Sequence, residues 1–270
     1  MLQLRFLFLH LPLGKRMTQP VLKSLVVAML AISALAAHAA NGPVTNNVIT
    51  GTGIGNNDFT IGTGLGIGGS IIEIGLRAHV RYPAPTDDTF NFGTNTYNQA
   101  AGGWTKFGVA GGTRASWNFD FSINSNQNGV EGSNLDAYTY LLSIDKDAGF
   151  AINYFTPFNP LTGFGDNSYG NNSTGQGAGV EPGNNAALIA ANNLVQNSQN
   201  YAFLPFAFDP NAQGTYTIKL EAFSRGAAPT LLASSLINVN VGAAAVPEPG
   251  SMALVGLALA GLAVVRRRKV

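Results

Sequence analysis

The stretch Thr215-Tyr-Thr-Ile-Lys-Leu-Glu-Ala-Phe223 decides the fold class of this chain. Tyr216, Ile218 and Leu220 share one face of an extended chain, while the polar residues between them share the other, which is the two-residue period of a half-buried β-strand. A turn, Arg225-Gly226-Ala-Ala-Pro229, follows, and the alternation resumes in residues 231–241, which end in Ile237-Asn-Val-Asn-Val241. The segment therefore predicts an antiparallel hairpin.

Further strands are predicted upstream of this hairpin. Residues 71–80 are rich in β-branched side chains, and residues 117–123 and 138–144 alternate aromatic or apolar with polar residues. Residues 184–196 predict a short helix, and the low-complexity residues 164–185 predict a loop. Strands separated by Gly, Asn and Pro turns favour an all-β fold, an antiparallel β-sandwich of jelly-roll or immunoglobulin-like type. We expect one domain over residues 66–242, preceded by a Gly/Asn-rich leader at 40–65.

Composition and charge exclude several classes of function. The chain has no cysteine, which excludes disulfides, thiolate metal sites and a cysteine nucleophile. Charged residues make up only 11%, which is low for an ordinary soluble domain. Residues 40–250 contain 7 basic and 14 acidic residues, so this part carries a net charge of −7. A protein with that charge has no basic surface for nucleic acid.

The N-terminus has the order of a secretory signal peptide. Read from Met17, it has Lys23, then the apolar residues 25–36, then Ala37-His38-Ala39. Ala37 and Ala39 match the small residues before a signal peptidase cleavage site. This apolar run of 12 residues is too short to span the roughly 30 Å hydrocarbon core of a membrane. We therefore expect a signal helix within residues 1–39; residues 1–16 are either a misassigned start or a long n-region.

The C-terminus has three parts in a fixed order. Val246-Pro247-Glu248-Pro249 comes first, residues 251–265 are uncharged and mostly apolar, and Arg266-Arg267-Arg268-Lys269 closes the chain. The apolar part predicts a hydrophobic, membrane-inserted helix whose terminal cations stay in the cytoplasm. The two prolines keep the strip before it extended. A plain tail anchor is the alternative interpretation.

This arrangement, over residues 246–270, closely resembles the PEP-CTERM sorting signal of Gram-negative bacteria. The resemblance implies transient insertion in the inner membrane, processing by an exosortase, and delivery to the cell surface or extracellular matrix. It also implies a biofilm setting with exopolysaccharide as a possible partner. It implies no activity for the part between the two ends.

Candidate catalytic residues are few. His79 is the only histidine left once the signal peptide is removed, and we expect it at an edge or surface of the sheet. Asp120 alternates between Phe119 and Phe121 and is expected to face solvent. A pair of acidic residues could act as the catalytic carboxylates of a glycosidase, but the sequence around the acidic residues does not single out such a pair. Trp104 and Trp117 could stack on sugars, although core packing is the stronger expectation for both.

One acidic turn is a weak candidate for a metal site. Asp145-Lys-Asp147-Ala-Gly149 follows a predicted strand, and Asp145 and Asp147 could offer oxygen ligands to Ca²⁺. The alternative is an ordinary β-turn, which favours Asp and Gly.

The sequence thus favours an exported, non-enzymatic protein with a structural or adhesive role at the surface or in the matrix. We expect no catalytic residues and, calcium apart, no cofactor. A carbohydrate- or calcium-binding module is the first alternative, and a secreted hydrolase that uses carboxylates is the second.

Overall fold

The computed structural model describes residues 40–49, 55–82, 95–105, 113–149, 151–181 and 186–242. The predicted signal peptide with Ala37 and Ala39 lies outside the described residues. So do the sorting residues Val246 to Pro249, the apolar helix at 251–265 and Arg266 to Arg268.

Strands dominate the described residues, and every helix among them is short. The α-helices are α1 (Pro160–Gly163) and α2 (Ala186–Ala191), and the 3₁₀ turns are Ile67–Gly69, Leu135–Ala137 and Tyr201–Phe203. The strands are β1 (Ala40–Gly42), β2 (Phe59–Leu65), β3 (Ile71–Val80), β4 (Thr96–Gln99), β5 (Gly103–Thr105), β6 (Thr113–Ala115), β7 (Trp117–Asn124), β8 (Tyr138–Ile144), β9 (Ser168–Gly170), β10 (Leu194–Asn200), β11 (Gly214–Ser224) and β12 (Leu231–Val241).

The strands form two larger sheets and a small ribbon. The six-stranded sheet has the order β1-β2-β3-β7-β10-β9, and all of its pairs are antiparallel. The four-stranded sheet has the order β4-β12-β11-β8, in which β4 and β12 run parallel and the other pairs antiparallel. Strands β5 and β6 pair with each other. The predicted all-β fold with antiparallel sheets is confirmed at this level.

The alternation that predicted the strands also builds the core. Ile72, Ile74 and Leu76 of β3 and the aromatic side chains of β7 are buried in the same apolar cluster as Ile218 of β11. Trp117 packs in it, with its ring centroid 4.9 Å from that of Tyr201. The predicted strands at 71–80, 117–123, 138–144, 215–223 and 231–241 are all present.

The predicted helix at 184–196 is wrong at its C-terminal end. The helix α2 ends at Ala191, and Leu194 begins β10, which pairs with both β7 and β9. The strand was hidden because its sequence, Leu-Val-Gln-Asn-Ser-Gln-Asn, is polar on both faces after Val195. The predicted loop at 164–185 likewise contains β9, whose Tyr169 is buried.

The leader predicted at 40–65 contains two strands of the larger sheet. β1 pairs with β2, and β2 pairs with β3 along most of its length. Val44, Phe59 and Ile61 form a small apolar cluster of their own. These residues are therefore part of the folded structure.

Two glycines let the sheets approach each other at β2. A methyl group on Gly62 would overlap the carbonyl oxygen of Ser234, and one on Gly64 would overlap that of Leu232. Close by, Ser235 Oγ donates a hydrogen bond to Thr60 O at 2.6 Å, which joins β12 to β2 directly. The glycine-rich composition of β2 thus follows from backbone contact between the two sheets.

Gly62→Ala is expected to lower the free energy of unfolding by about 2–3 kcal/mol, because the added methyl group pushes β2 away from β12. Gly165→Ala is the matched control, since a Cβ there meets no atom within 4 Å. Urea denaturation of both variants measures the effect. Equal midpoints for the two variants would show that the sheets do not touch at Gly62.

Candidate functional site

The face of the six-stranded sheet that points away from the core is polar. On β3 the residues between the core positions face this side, and β7 and β10 place polar residues beside them. Burial of this face is nearly complete, with Ser198 alone half-exposed. Its polar residues are Glu73, Arg77, His79, Asn118, Asp120, Ser122, Asn124, Gln196, Ser198 and Asn200.

Residues 43–49, here called the cover, lie across part of this polar face. Val48 N donates to Gln196 Oε1 at 2.7 Å, and Gln196 Nε2 donates to Asn46 O at 2.6 Å. Thr45 N and Oγ1 donate to the two oxygens of Glu73 at 2.8 and 2.9 Å. The polar side chains of the sheet therefore satisfy the backbone of the cover, as buried polar groups must.

A charge cluster lies in the centre of the polar face. Arg77 Nε donates to Asp120 Oδ2 at 2.6 Å, and His79 Nδ1 lies 3.1 Å from the same oxygen. All three side chains are 0% exposed. The Arg77 guanidinium also donates to Asn57 O at 2.9 Å and lies over the Phe59 ring.

The predictions for His79 and Asp120 were therefore wrong. Both were expected at the surface, because the polar positions of a half-buried strand normally meet water. Here the second face is buried as well, so Asp120 faces Arg77 across β3 and β7. The oppositely charged residues at 77 and 120 were the signal in the sequence, but only the strand register brings them together.

The surroundings keep Asp120 ionised. Burial acts to raise the pKa of its carboxyl group, but the neighbouring His79 and Arg77 outweigh burial and hold the pKa well below its usual range. Glu73 shows the opposite balance, because burial raises the pKa of its carboxyl group despite the hydrogen bonds from Thr45. Asp120 is thus a permanent buried anion at ordinary pH.

A polar cleft opens beside the charge cluster. Its volume is about 280 Å³. Asn118 and Ser198 lie at its inner end, where Asn118 Nδ2 donates to Ser198 Oγ at 2.9 Å. Asn118 is opposite His79 in the strand register, so the cleft begins where the buried cluster ends. The lining residues are Ile49, Arg81, Tyr82, Arg114, Asn118, Asp166, Ser168, Glu181, Asn197, Ser198 and Phe203.

One wall of the cleft carries aromatic rings and arginines. In the β5–β6 ribbon, Trp104 is directly opposite Arg114. The Trp104 ring is nearly parallel to that of Tyr82, with centroids 6.4 Å apart. Arg114 Nη1 donates to Tyr82 Oη at 3.0 Å, and its guanidinium carbon lies 4.7 Å from the Phe203 ring centroid.

The segment at 166–181 supplies the acidic wall. Ser168 Oγ donates to Glu181 Oε1 at 3.1 Å. Asp166 Oδ1 accepts hydrogen bonds from Asn197 Nδ2 and Gln199 Nε2 at 2.9 and 2.8 Å. Both carboxylates thus come from the same wall and are held by neutral donors.

Asp145 and Asp147 hold their own loop together. Asp145 Oδ1 accepts from Asn153 N at 2.9 Å, and Asp147 accepts from Gly149 N at 3.2 Å and from Asn153 Nδ2 at 2.8 Å. Asp145 is buried and Asp147 is exposed. These are the contacts of a structured acidic turn.

Asp147 also lines a second cavity, of about 310 Å³, together with Asp209 and Tyr216. Burial, with the charges of Asp209, Asp147 and Asp145, raises the pKa of Tyr216 to about 12. The described residues contain no group of three or more His, Asp or Glu side chains that could hold a metal ion. Calcium at Asp145 and Asp147 stays a prediction, and isothermal titration of the chelator-treated protein is its test.

Comparison with known proteins identifies the C-terminal part. Residues 245–269 match the family model described as the PEP-CTERM protein-sorting motif. No curated protein and no solved structure matches the chain. In the part of the chain that the structure describes, no helix has both the length and the apolar character needed to cross a membrane.

Asp120→Asn is expected to lower the free energy of unfolding by about 3–5 kcal/mol, because it leaves the buried guanidinium of Arg77 without its counter-charge. Guanidinium denaturation measures this loss. Asp136→Asn, which removes an exposed carboxylate, is the control.

The wild type and Asp120→Asn together also test the lowered pKa of the Asp120 carboxyl group. A carboxyl group whose pKa is lower in the folded state stabilises above its unfolded pKa of about 4, and this contribution is lost as the pH falls below that value. The stability difference between the wild type and Asp120→Asn should therefore shrink from pH 5 to pH 2. A difference that stays constant or grows over this range would contradict the assignment.

Proposed function

We propose that this chain, which carries a PEP-CTERM sorting motif, has a non-enzymatic structural or adhesive role at the cell surface or in the extracellular matrix. The motif indicates an exported protein that an exosortase handles at the membrane. Signal peptidase at Ala37 and Ala39, transient insertion of residues 251–265 and a biofilm rich in exopolysaccharide complete the proposal.

The matched motif is the observation that carries this proposal. Its parts follow the physical order that membrane processing needs. The Pro247-Glu248-Pro249 strip cannot continue a helix and stays open to a protease. The apolar residues 251–265 enter the membrane, and Arg266 to Arg268 hold the far end in the cytoplasm.

The folded domain supports a non-enzymatic role. His79 and Asp120 are fully buried with Arg77, so a substrate does not reach them in this structure. His79 Nδ1 lies beside Asp120, but no hydroxyl group among the described residues bonds to His79 Nε2, as the nucleophile of a triad would. Asp166 and Glu181 come from one wall of the cleft, whereas glycosidase carboxylates flank the scissile bond.

The extent of the folded core also supports a structural role. Both larger sheets contribute side chains to one apolar core, which supports a jelly-roll or immunoglobulin-like sandwich as the proposed architecture, and β1 and β2 belong to the larger sheet. A domain of this size buries enough surface to fold without disulfides.

Replacing Pro247, Glu248 and Pro249 together by alanine is expected to block processing in the native host. The wild-type protein should be recovered outside the inner membrane with a mass that lacks both ends. The triple variant should stay in the inner-membrane fraction with its C-terminal residues attached. Intact-mass spectrometry of each cell fraction measures both results.

Pro229→Ala is the control for this experiment, because Pro229 lies in the β11–β12 turn outside the motif. It should be processed like the wild type. A triple variant that still loses its C-terminus, or a wild-type protein that accumulates in the periplasm, would contradict the proposal.

A further inference from the structure

We propose that the polar cleft binds a neutral saccharide, with Arg81 and Arg114 as hydrogen-bond donors and Asp166 and Glu181 as acceptors. This inference deepens the proposed function, on which it rests, by naming the ligand class through which a structural or adhesive protein would attach. It concerns the cleft itself and does not depend on how the chain is sorted.

The charged residues that line the cleft balance one another. Arg81, Arg114, Asp166 and Glu181 line it, and no ion pair joins any of them to another residue in the described ranges. Two cations and two anions give the lining a net charge of zero, although residues 40–250 carry −7. A site with balanced charges inside an acidic domain favours a neutral ligand over a polyanion, which the whole domain repels.

The lining also offers both hydrogen-bond donors and hydrogen-bond acceptors. A sugar hydroxyl both donates and accepts a hydrogen bond, so it needs donors and acceptors within one small space. Guanidinium groups on one wall only donate, and carboxylates on the other only accept. Asn118 and Ser198 at the inner end offer both kinds of group.

Two exposed aromatic rings lie at or near the cleft. Trp104 is 37% exposed and Phe203 is 57% exposed, whereas every other aromatic side chain among the described residues is buried or half-buried. Phe203 lines the cleft beside Arg114, whereas Trp104 lies outside the lining and stacks on Tyr82, which is part of it. The Phe203 ring offers rigid apolar surface at little cost in conformational entropy, against which the C–H face of a sugar can pack.

The size of the cleft limits the ligand. A volume of about 280 Å³ lies near the lower end of the range for small-molecule pockets, roughly 300–1,000 Å³. The cleft therefore accommodates a short stretch or an end of a glycan, with the exposed ring of Phe203 beside it.

The test is a binding measurement on the purified mature protein. An array of neutral glucan, mannan and galactan oligosaccharides is screened beside oligouronates of matched length, and the best ligand is titrated calorimetrically. We expect a neutral oligosaccharide to bind, the oligouronates to bind more weakly, and the affinity to change little between low and high salt.

Variants then locate the site. Arg114→Gln and Glu181→Gln should each lower the affinity about tenfold or more, since each removes a charge-assisted hydrogen bond to the ligand. Arg225→Gln and Glu131→Gln are matched controls: both residues are exposed and lie outside the cleft, Arg225 in the β11–β12 turn and Glu131 in the β7–β8 connection. Phe203→Ala, at an exposed ring, gives a second variant whose folding is not at risk, and it should also weaken binding.

Three results would overturn the inference. They are no binding on the array, preferential and salt-sensitive binding of oligouronates, and equal affinities for the cleft variants and their controls. Shortening of the bound oligosaccharide during incubation would instead contradict the non-enzymatic role. Because the assay uses purified protein, a failure here leaves the results of the processing experiment standing.

Discussion

The buried ion pair between Arg77 and Asp120 sets the main constraint on this fold. Two charges that lose their water must find each other, because their mutual attraction has to offset the cost of desolvation. Strands β3 and β7 bring the pair together in register, and Arg77 also contacts Asn57 O and the Phe59 ring. The outer face of the six-stranded sheet is therefore built as a second interior, polar rather than apolar.

A polar interior needs a cover, and the N-terminal part of the domain supplies it. The residues around Val44 and Val48 bring backbone donors and acceptors to Glu73 and Gln196. The cleft lies where Asn118 and Ser198 continue the polar face to a more open end. Its mixed lining of arginines, carboxylates and amides extends the same polar layer, and this links the architecture of the domain to the proposed binding of a saccharide.

The sequence predicted those parts of the structure whose signal is local. Strands such as β7 and β11 were found because their apolar face follows a period of two, and the sorting motif was found because it is a linear signal. Strand β10 was missed because its amides and hydroxyls bond to distant partners such as Asp166, which no local pattern reveals. His79 and Asp120 were misplaced because nothing near them in sequence shows that the outer face of the six-stranded sheet is buried as well.

Hydrogen exchange of the mature protein, followed by mass spectrometry, tests most directly whether the outer face is a true interior. If the cover is part of the cooperative fold, the amides of Val44 and Val48, which donate to Asn56 O and Gln196 Oε1, will exchange as slowly as those of β3. Exchange of residues 43–49 at the rate of an unstructured chain, with β3 still protected, would contradict the account, because Glu73 and Gln196 on the outer face would then be open to water.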